Sequence, residues 1–259
     1  MKKMAIIYLC TGEYITFWDK FYETANKFFV PDYTKRFFVF SDGIEQIKGD
    51  NVERFYQPKI GWPMDVLMKW DCICRIQDIL QEYDYIALCN ANMEFKDSLF
   101  FENENTDFWL TSFLDDYGKF NFERNSNSKA FIPEEKIIRK YIQTGFVVGK
   151  TEAFLKASRI LRDWTSLDIE NECIPVWHDE SLFNAYIYMN EIESIGFFPQ
   201  KDIYPEEWVK EGENPKAIFR DKNKYGGHNL LRGIDNKSMI TVKQRMKKLI
   251  EKKFVIHKH

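Results

Sequence analysis

The sequence predicts an α/β fold, and three observations predict it. Short apolar runs of strand length alternate with helix-period stretches from the first residues onward. With 259 residues and 44% hydrophobic content, the chain can bury a full core in one domain or two tightly fused lobes. An apolar strand then ends abruptly at a polar pair, Asn90-Ala91-Asn92, as strands do at ligand sites in open α/β sheets.

The elements follow in order. Met4-Ala-Ile-Ile-Tyr-Leu-Cys10 reads as a buried strand, Phe17 to Phe29 as an amphipathic helix, and Arg36-Phe-Phe-Val-Phe40 as a second strand closed by Ser-Asp-Gly. A third strand is expected near Val52 to Tyr56. It precedes one long helix from about Asp65 to Glu82, with Val66, Trp70, Ile73, Ile76 and Leu80 on one stripe. Tyr85 to Cys89 is the strand that ends at Asn90-Ala91-Asn92. Beyond it come a strand near Phe108 to Phe113, a polar Asn- and Ser-rich loop at 121 to 129, and a strand-like stretch from Tyr141 to Gly149. Helices from Glu152 to Asp163 and near Glu180 to Met189, then a Pro- and Lys-rich stretch from Pro199 to Lys224, complete the body. There is no internal repeat and no low-complexity linker.

Composition narrows the function classes. A net charge of −3 gives no sign of a nucleic-acid partner. The charge is uneven: from Lys237 to His259 there are 8 basic residues and 1 acidic one, on a body that is acidic. Aromatic residues reach 17%, which suits both an aromatic core and the stacking of sugar rings. The cysteines Cys10, Cys72, Cys74, Cys89 and Cys173 are odd in number and lie partly in apolar strands, so they read as reduced and buried. Cys72-x-Cys74 does not match a zinc or redox spacing. The seven-residue apolar run at the N-terminus runs into Thr-Gly-Glu without a small-residue cleavage site, so it reads as a strand and not as a signal peptide. No stretch reaches the roughly 18 to 20 apolar residues of a membrane span.

Two clusters can carry chemistry. Trp177-His178-Asp179-Glu180-Ser181 falls at a helix N-terminus, where Asp179 could cap the helix and the dipole favours either carboxylate. A carboxylate held beside a tryptophan face can also stabilise, or attack, the positive charge that develops at an anomeric carbon. Asn90 and Asn92 by themselves read as turn residues. Their place at a strand end makes them a candidate diphosphate contact, but a neutral amide cannot offset a dication.

With these residues in place, the chain resembles the retaining glycosyltransferase family of the blood-group A and B enzymes, α1,3-galactosyltransferase and Forssman synthase, including its bacterial members. The resemblance runs through Gly12-Glu-Tyr14, Glu23-Thr-Ala25, Phe38-Val-Phe-Ser-Asp42, Asp84-Tyr85, Met93-Glu-Phe95, Tyr117 to Pro133, Gly145-Phe146 and Trp177-His-Asp-Glu-Ser181. It implies a single Rossmann-like domain of the GT-A type, with a central mixed sheet flanked by helices. The catalytic domain would span 1–236, its donor-binding part about 1–92 and its acceptor and catalytic part about 93–236, followed by a basic tail over 237–259. Glu180 would be the nucleophile or charge stabiliser and would also line the acceptor site. Asp179 would bind donor-sugar hydroxyls, and Trp177 and His178 would shape the acceptor and donor pockets. Tyr14, with the backbone near Leu9, Cys10 and Thr11, would hold uracil and ribose. Gln143 and Gly145 would choose between UDP-galactose and UDP-N-acetylgalactosamine. At Gly145 two readings stand: room for an acetamido group, or a close backbone approach within a strand.

The departures from the pattern carry equal weight. Asn90 and Asn92 stand where the family has metal-binding aspartates, so no divalent metal and no other cofactor is expected. The diphosphate charge would fall to Lys222, Lys224 and Arg232, which also read as a solvated basic loop. Lys69 and Trp70 replace family arginines. The long N-terminal anchor of the vertebrate enzymes is not read here, which fits a bacterial or phage protein. The expected reaction is retaining α1,3 transfer of N-acetylgalactosamine to a fucosylated galactoside, Fucα1,2-Gal. The alternatives are transfer of galactose and a catalytically dead sugar-binding module. A cytoplasmic location is expected. The tail from Met239 to Ile256 reads either as solvated or as an amphipathic helix making weak peripheral contact with anionic lipid at the inner membrane.

Overall fold

A computed structural model describes residues 1–101, 105–112, 121–136 and 140–233. Phe113, Tyr117 and the basic tail from Lys237 lie outside the described residues.

Ten strands and seven helices are described in chain order. β1 (Lys3–Leu9), α1 (Trp18–Phe28), β2 (Thr34–Ser41) and β3 (Val52–Tyr56) form the expected βαβ opening. The helical stretch that follows is three pieces, α2 (Met64–Leu67), α3 (Lys69–Arg75) and α4 (Gln77–Leu80). Next come β4 (Tyr85–Cys89), β5 (Met93–Phe95), β6 (Phe108–Thr111), β7 (Gln143–Lys150), α5 (Thr151–Glu170) and α6 (Asp179–Met189). β8 (Ile195–Phe197), β9 (Ile203–Pro205), β10 (Ala217–Phe219) and α7 (Gly227–Arg232) close the described chain.

The main sheet has seven strands in the order β3-β2-β1-β4-β7-β6-β8. β1 to β4 are parallel, whereas β7 runs antiparallel to β4 with Cys89 opposite Phe146. This mixed sheet between helices is a GT-A-like, Rossmann-type arrangement. Both faces are buried, which is why its strands read as continuous apolar runs. Alternate residues serve alternate faces: Ala5, Ile7, Phe38, Phe40, Ile86 and Leu88 join the core under α3, α5 and α6. Met4, Ile6, Tyr8, Phe37, Val39, Ala87 and Cys89 join the core under α1.

Two expectations need correcting. The single helix over 65–82 breaks at Met68 and Ile76, at ψ 0 and 15, and at Ile76 the bonding shifts to i−3 partners, as in Ile76 N–H to Ile73 C=O. The apolar stripe continues across both breaks, so periodicity alone could not show them. α5 runs seven residues past Asp163, because its polar residues face inward. The Thr165 hydroxyl donates to Leu161 C=O at 2.7 Å, and Asp168, 1% exposed, accepts from Ser128 Oγ at 2.6 Å and Lys129 N–H at 2.7 Å. β5, β8, β9 and β10, three residues each, are too short to show a period.

The topology places a site. Because β7 is antiparallel, its first residues lie beside the carboxyl ends of β1 and β4, so Gln143 to Gly145 face the Asn90–Asn92 loop. Among the described residues, no helix is long and apolar enough to cross a membrane.

Candidate active site

The strand-end loop is held from three sides. Tyr8 reaches past the end of β1 to donate to Ala91 C=O at 2.8 Å, and Asn90 N–H donates to Gly145 C=O at 2.8 Å. Asn92, 6% exposed, donates its side-chain amide to Arg220 C=O at 2.8 Å, while Arg220 N–H returns a bond to Asn92 C=O at 2.7 Å. One amide N–H therefore holds the residue after β10, at the strand end where a diphosphate contact is expected. Asn90 is half-buried beside Gly145.

The two carboxylates occupy the first turn of α6. Asp179 does not cap the helix: the N-cap is His178, and it makes no capping side-chain bond. Instead Asp179 Oδ2 accepts from Lys69 Nζ at 2.6 Å and from the Thr144 hydroxyl at 2.8 Å, with both charged side chains buried. Glu180 Oε2 accepts from Thr144 N–H at 3.1 Å, and Tyr141 bonds its carboxyl group. Burial first, then the adjacent Asp179, pushes Glu180 up to about 7, against the pull of Tyr141, Thr144 and Lys69. Burial and then Glu180 raise the Tyr141 phenol, so it stays protonated and donates. Asn184, one turn on from Glu180, fixes the helix to the start of β7. Its amide donates to Ile142 C=O at 2.8 Å and to Glu180 C=O at 2.9 Å, and its oxygen accepts from Ile142 N–H at 3.0 Å.

His178 sits at φ 57, a backbone region that non-glycine residues seldom adopt. Its Nδ1 lies 3.1 Å from Pro175 C=O, which makes Nδ1 the donor and leaves Nε2 as an acceptor. Nε2 is buried with no hydrogen-bond partner among the described residues, a state expected of a ligand contact. Burial lowers the His178 pKa, so the ring is neutral at pH 7. The Trp62 ring packs 4.8 Å from it, and the Arg232 guanidinium lies 4.5 Å over Trp62. Trp177 is 44% exposed on the same turn, its N–H donating to Ser181 Oγ at 2.9 Å.

Beneath this turn, Glu123 knits the Asn-rich loop to it by accepting from Val176 N–H at 2.7 Å and Asn125 N–H at 2.8 Å.

At the β1 end, Leu9 and Thr11 flank Cys10, whose N–H and C=O are taken by Phe40 and Ser41 and whose thiol burial pushes up to about 12. Cys10 is thus tied to the end of β2 through both its N–H and its C=O. Tyr14 is half-buried, bonded to Arg232 and covered by Lys222 Nζ at 5.6 Å from its ring. Burial and then Arg232 lower Lys222 to about 8, with Lys69 contributing. Lys59 packs its ammonium group against Gly12 and Gly233, at φ +59 and +64, where a β-carbon would collide with it. Lys224 stands apart: it is 60% exposed and pairs with Glu206 at 2.8 Å.

The geometry therefore brings together Leu9, Thr11, Tyr14, Asn90, Gln143, Gly145, His178, Asp179, Glu180, Lys222 and Arg232, and leaves Lys224 outside. Sequence reasoning missed Lys59, Trp62, Tyr141, Thr144, Asn184 and Phe219. Tyr141 and Thr144 flank Gln143, and Asn184 follows Glu180 by four positions, so helical spacing was the available signal for Asn184. Among the described residues, no group of three or more His, Cys, Asp or Glu side chains converges as a metal site.

Residues 3–197 match the family model of glycosyltransferase family 6. The chain is also similar to the O-antigen biosynthesis glycosyltransferase WbnI of Escherichia coli, with 30% identity over 231 residues that cover 85% of this chain and 94% of that protein.

Proposed function

The chain belongs to glycosyltransferase family 6, and on that premise we propose that it transfers N-acetylgalactosamine from UDP-N-acetylgalactosamine, with retention and in α1,3 linkage, to a Fucα1,2-galactoside of a bacterial surface glycan. One observation carries the reading. A carboxyl group pushed up to about 7, Glu180, is held by Thr144 and Tyr141 beside the Asp179–Lys69 pair, across β7 from the strand-end loop and the cations over Tyr14. The O-antigen setting of the similar enzyme supports the surface-glycan acceptor.

In this reading Tyr14 stacks or bonds the nucleoside, and Lys222 and Arg232 meet the diphosphate. As the C1–O bond to UDP breaks with its electron pair, ionised Glu180 stabilises the oxocarbenium-like carbon or bonds to C1 as a transient ester. The acceptor 3-hydroxyl then attacks C1 from the face UDP vacated, displacing Glu180 where an ester formed, and its proton passes to the departing diphosphate. Asp179, fixed by Lys69 and Thr144, bonds donor hydroxyls. His178 Nε2 accepts from a sugar hydroxyl, and the exposed face of Trp177 packs on the acceptor.

We further propose that no divalent metal takes part. Asn90 is neutral, the Asn92 amide donates to Arg220, and Lys222 and Arg232 stand together at Tyr14 as the charge that would meet the diphosphate. Purified protein should transfer from UDP-N-acetylgalactosamine in excess EDTA. Loss of activity on chelation, restored by manganese, refutes this. A second donor, UDP-galactose, is favoured by the ring of Phe219, which lies in the space over Gly145. Comparing the two UDP-sugars, with linkage read by NMR, separates the readings.

A further inference from the structure

We infer that Phe219 is a specificity-determining residue for the donor sugar, an inference that rests on the transferase reading above. Gly145 lies between the two halves of the site. Its predecessor Thr144 binds both carboxylates, and its own C=O accepts from Asn90 at the strand end. A sugar with its anomeric carbon at Glu180 and its phosphate toward Asn90 must cross Gly145. The substituent on C2, adjacent to the reacting carbon, then lies against whatever covers that glycine.

What covers it is Phe219. A β-carbon built on Gly145 would stand 2.9 Å from Phe219 Cε1, 3.1 Å from Cζ and 3.1 Å from Asn90 Nδ2. The glycine is therefore required by the ring's close approach, and its small size does not by itself open a pocket. Any acetamido space at Gly145 is then set by where that ring stands. The ring's backbone is fixed, because Phe219 pairs with Met93 across β10 and β5, and the next residue, Arg220, is bonded in both directions to Asn92. Phe219 is 7% exposed, so what it can adjust is side-chain rotation against Asn90 and Gly145. The larger acetamido group demands more of the ring than a hydroxyl at C2 does, so the ring's position weighs the two donors against each other.

The test uses the 259-residue chain and the ratio of kcat/KM for UDP-N-acetylgalactosamine to that for UDP-galactose. Phe219→Ala should raise this ratio at least tenfold over the parent, and Phe219→Leu by a smaller factor. Thermal melts report the contact separately: Gly145→Ala should lower Tm, and adding Phe219→Leu should recover part of the loss. A ratio within twofold of the parent in both Phe219 variants overturns the inference, whether or not the melts couple. A parent that turns over neither UDP-sugar instead brings down the transferase reading, and the inference with it.

Discussion

Two buried charged sites in this molecule solve the same problem in opposite ways. Lys35, 8% exposed, ends α1 by donating to Asn26 C=O at 2.7 Å, Phe29 C=O at 2.8 Å and Val30 C=O at 3.4 Å. Two of these are carbonyls that the helix end leaves without other partners, while Val30 C=O also accepts from Tyr33 N–H at 2.9 Å. At the start of α6, Asp179 and Glu180 stand side by side with one close ammonium, Lys69, and a buried histidine nitrogen without a partner nearby. Burial shifts both sites, pushing Lys35 down to about 8 and Glu180 up to about 7. The difference lies in closure. The structural site satisfies every donor, and the catalytic candidate keeps a carboxyl group near neutrality with acceptor capacity in reserve.

Breaking the open site should have the largest effect. Glu180→Gln should lower transfer about a thousandfold, close to 4 kcal/mol of barrier, measured as product formed from UDP-N-acetylgalactosamine. A variant that turns over at the parent rate removes Glu180 from the mechanism. The same substitution should increase stability. The folded carboxyl at about 7 holds its proton more tightly than the unfolded one near 4.5, so the parent loses stability as pH rises from 4.5 through 7. Glu180→Gln should be more stable than the parent at pH 8, by on the order of 1–3 kcal/mol, with the difference shrinking toward pH 4.5. Parent activity should climb through pH 7 as Glu180 ionises.

Breaking the closed site should do the reverse. Lys35→Met leaves the Asn26 and Phe29 carbonyls unmet, Val30 C=O keeping its bond from Tyr33 N–H, and should cost about 2–3 kcal/mol in a denaturant melt. Transfer per folded molecule should stay within twofold of the parent. A fall in kcat larger than the loss of folded protein contradicts the division of roles.

The two sites were unequally legible in the sequence. Strands β1 to β4 were visible because a sheet buried on both faces writes long apolar runs, and Trp177 to Ser181 was visible as a dense polar cluster before an apolar helix. The partners that make Glu180 unusual were not. Lys69 pairs with Asp179 from the first residue after the break at Met68, and Thr144 meets both carboxylates from the start of the antiparallel β7. Lys35 was equally hidden, since a lysine in a strand reads as an exposed position. Gly145 shows the limit most sharply: its neighbour Phe219 is 74 positions away, in a strand of three residues.

Within the cations the comparison can be drawn more finely. Lys222 sits over Tyr14, lowered to about 8 by burial and Arg232. Lys222→Gln should raise KM for the UDP-sugar about tenfold, or 1.4 kcal/mol. Because the folded ammonium loses its proton near 8, the parent's kcat/KM for donor should fall as pH rises through 8, and the variant should lack that limb. An unchanged KM and an unchanged alkaline limb release Lys222 from the diphosphate.

Lys224 is two residues further on and should be nearly silent, which makes it the control on every statement about its neighbour. Its ammonium is 60% exposed and lies 2.8 Å from Glu206, itself 28% exposed. Water screens such a pair, and holding two long side chains in one geometry offsets most of the attraction, so it contributes little to stability. Lys224→Gln should therefore leave donor KM, kcat and the alkaline limb within twofold of the parent, with a melt shifted by no more than a degree or two. Arg220, between β10 and the Lys222 turn, stays bonded to Asn92 whatever stands at 224, so the substitution does not reach the site through the backbone. A tenfold rise in KM on Lys224→Gln requires the 222–225 turn to rotate when the nucleotide binds, exchanging Glu206 for phosphate and returning Lys224 to the set of cations around the diphosphate.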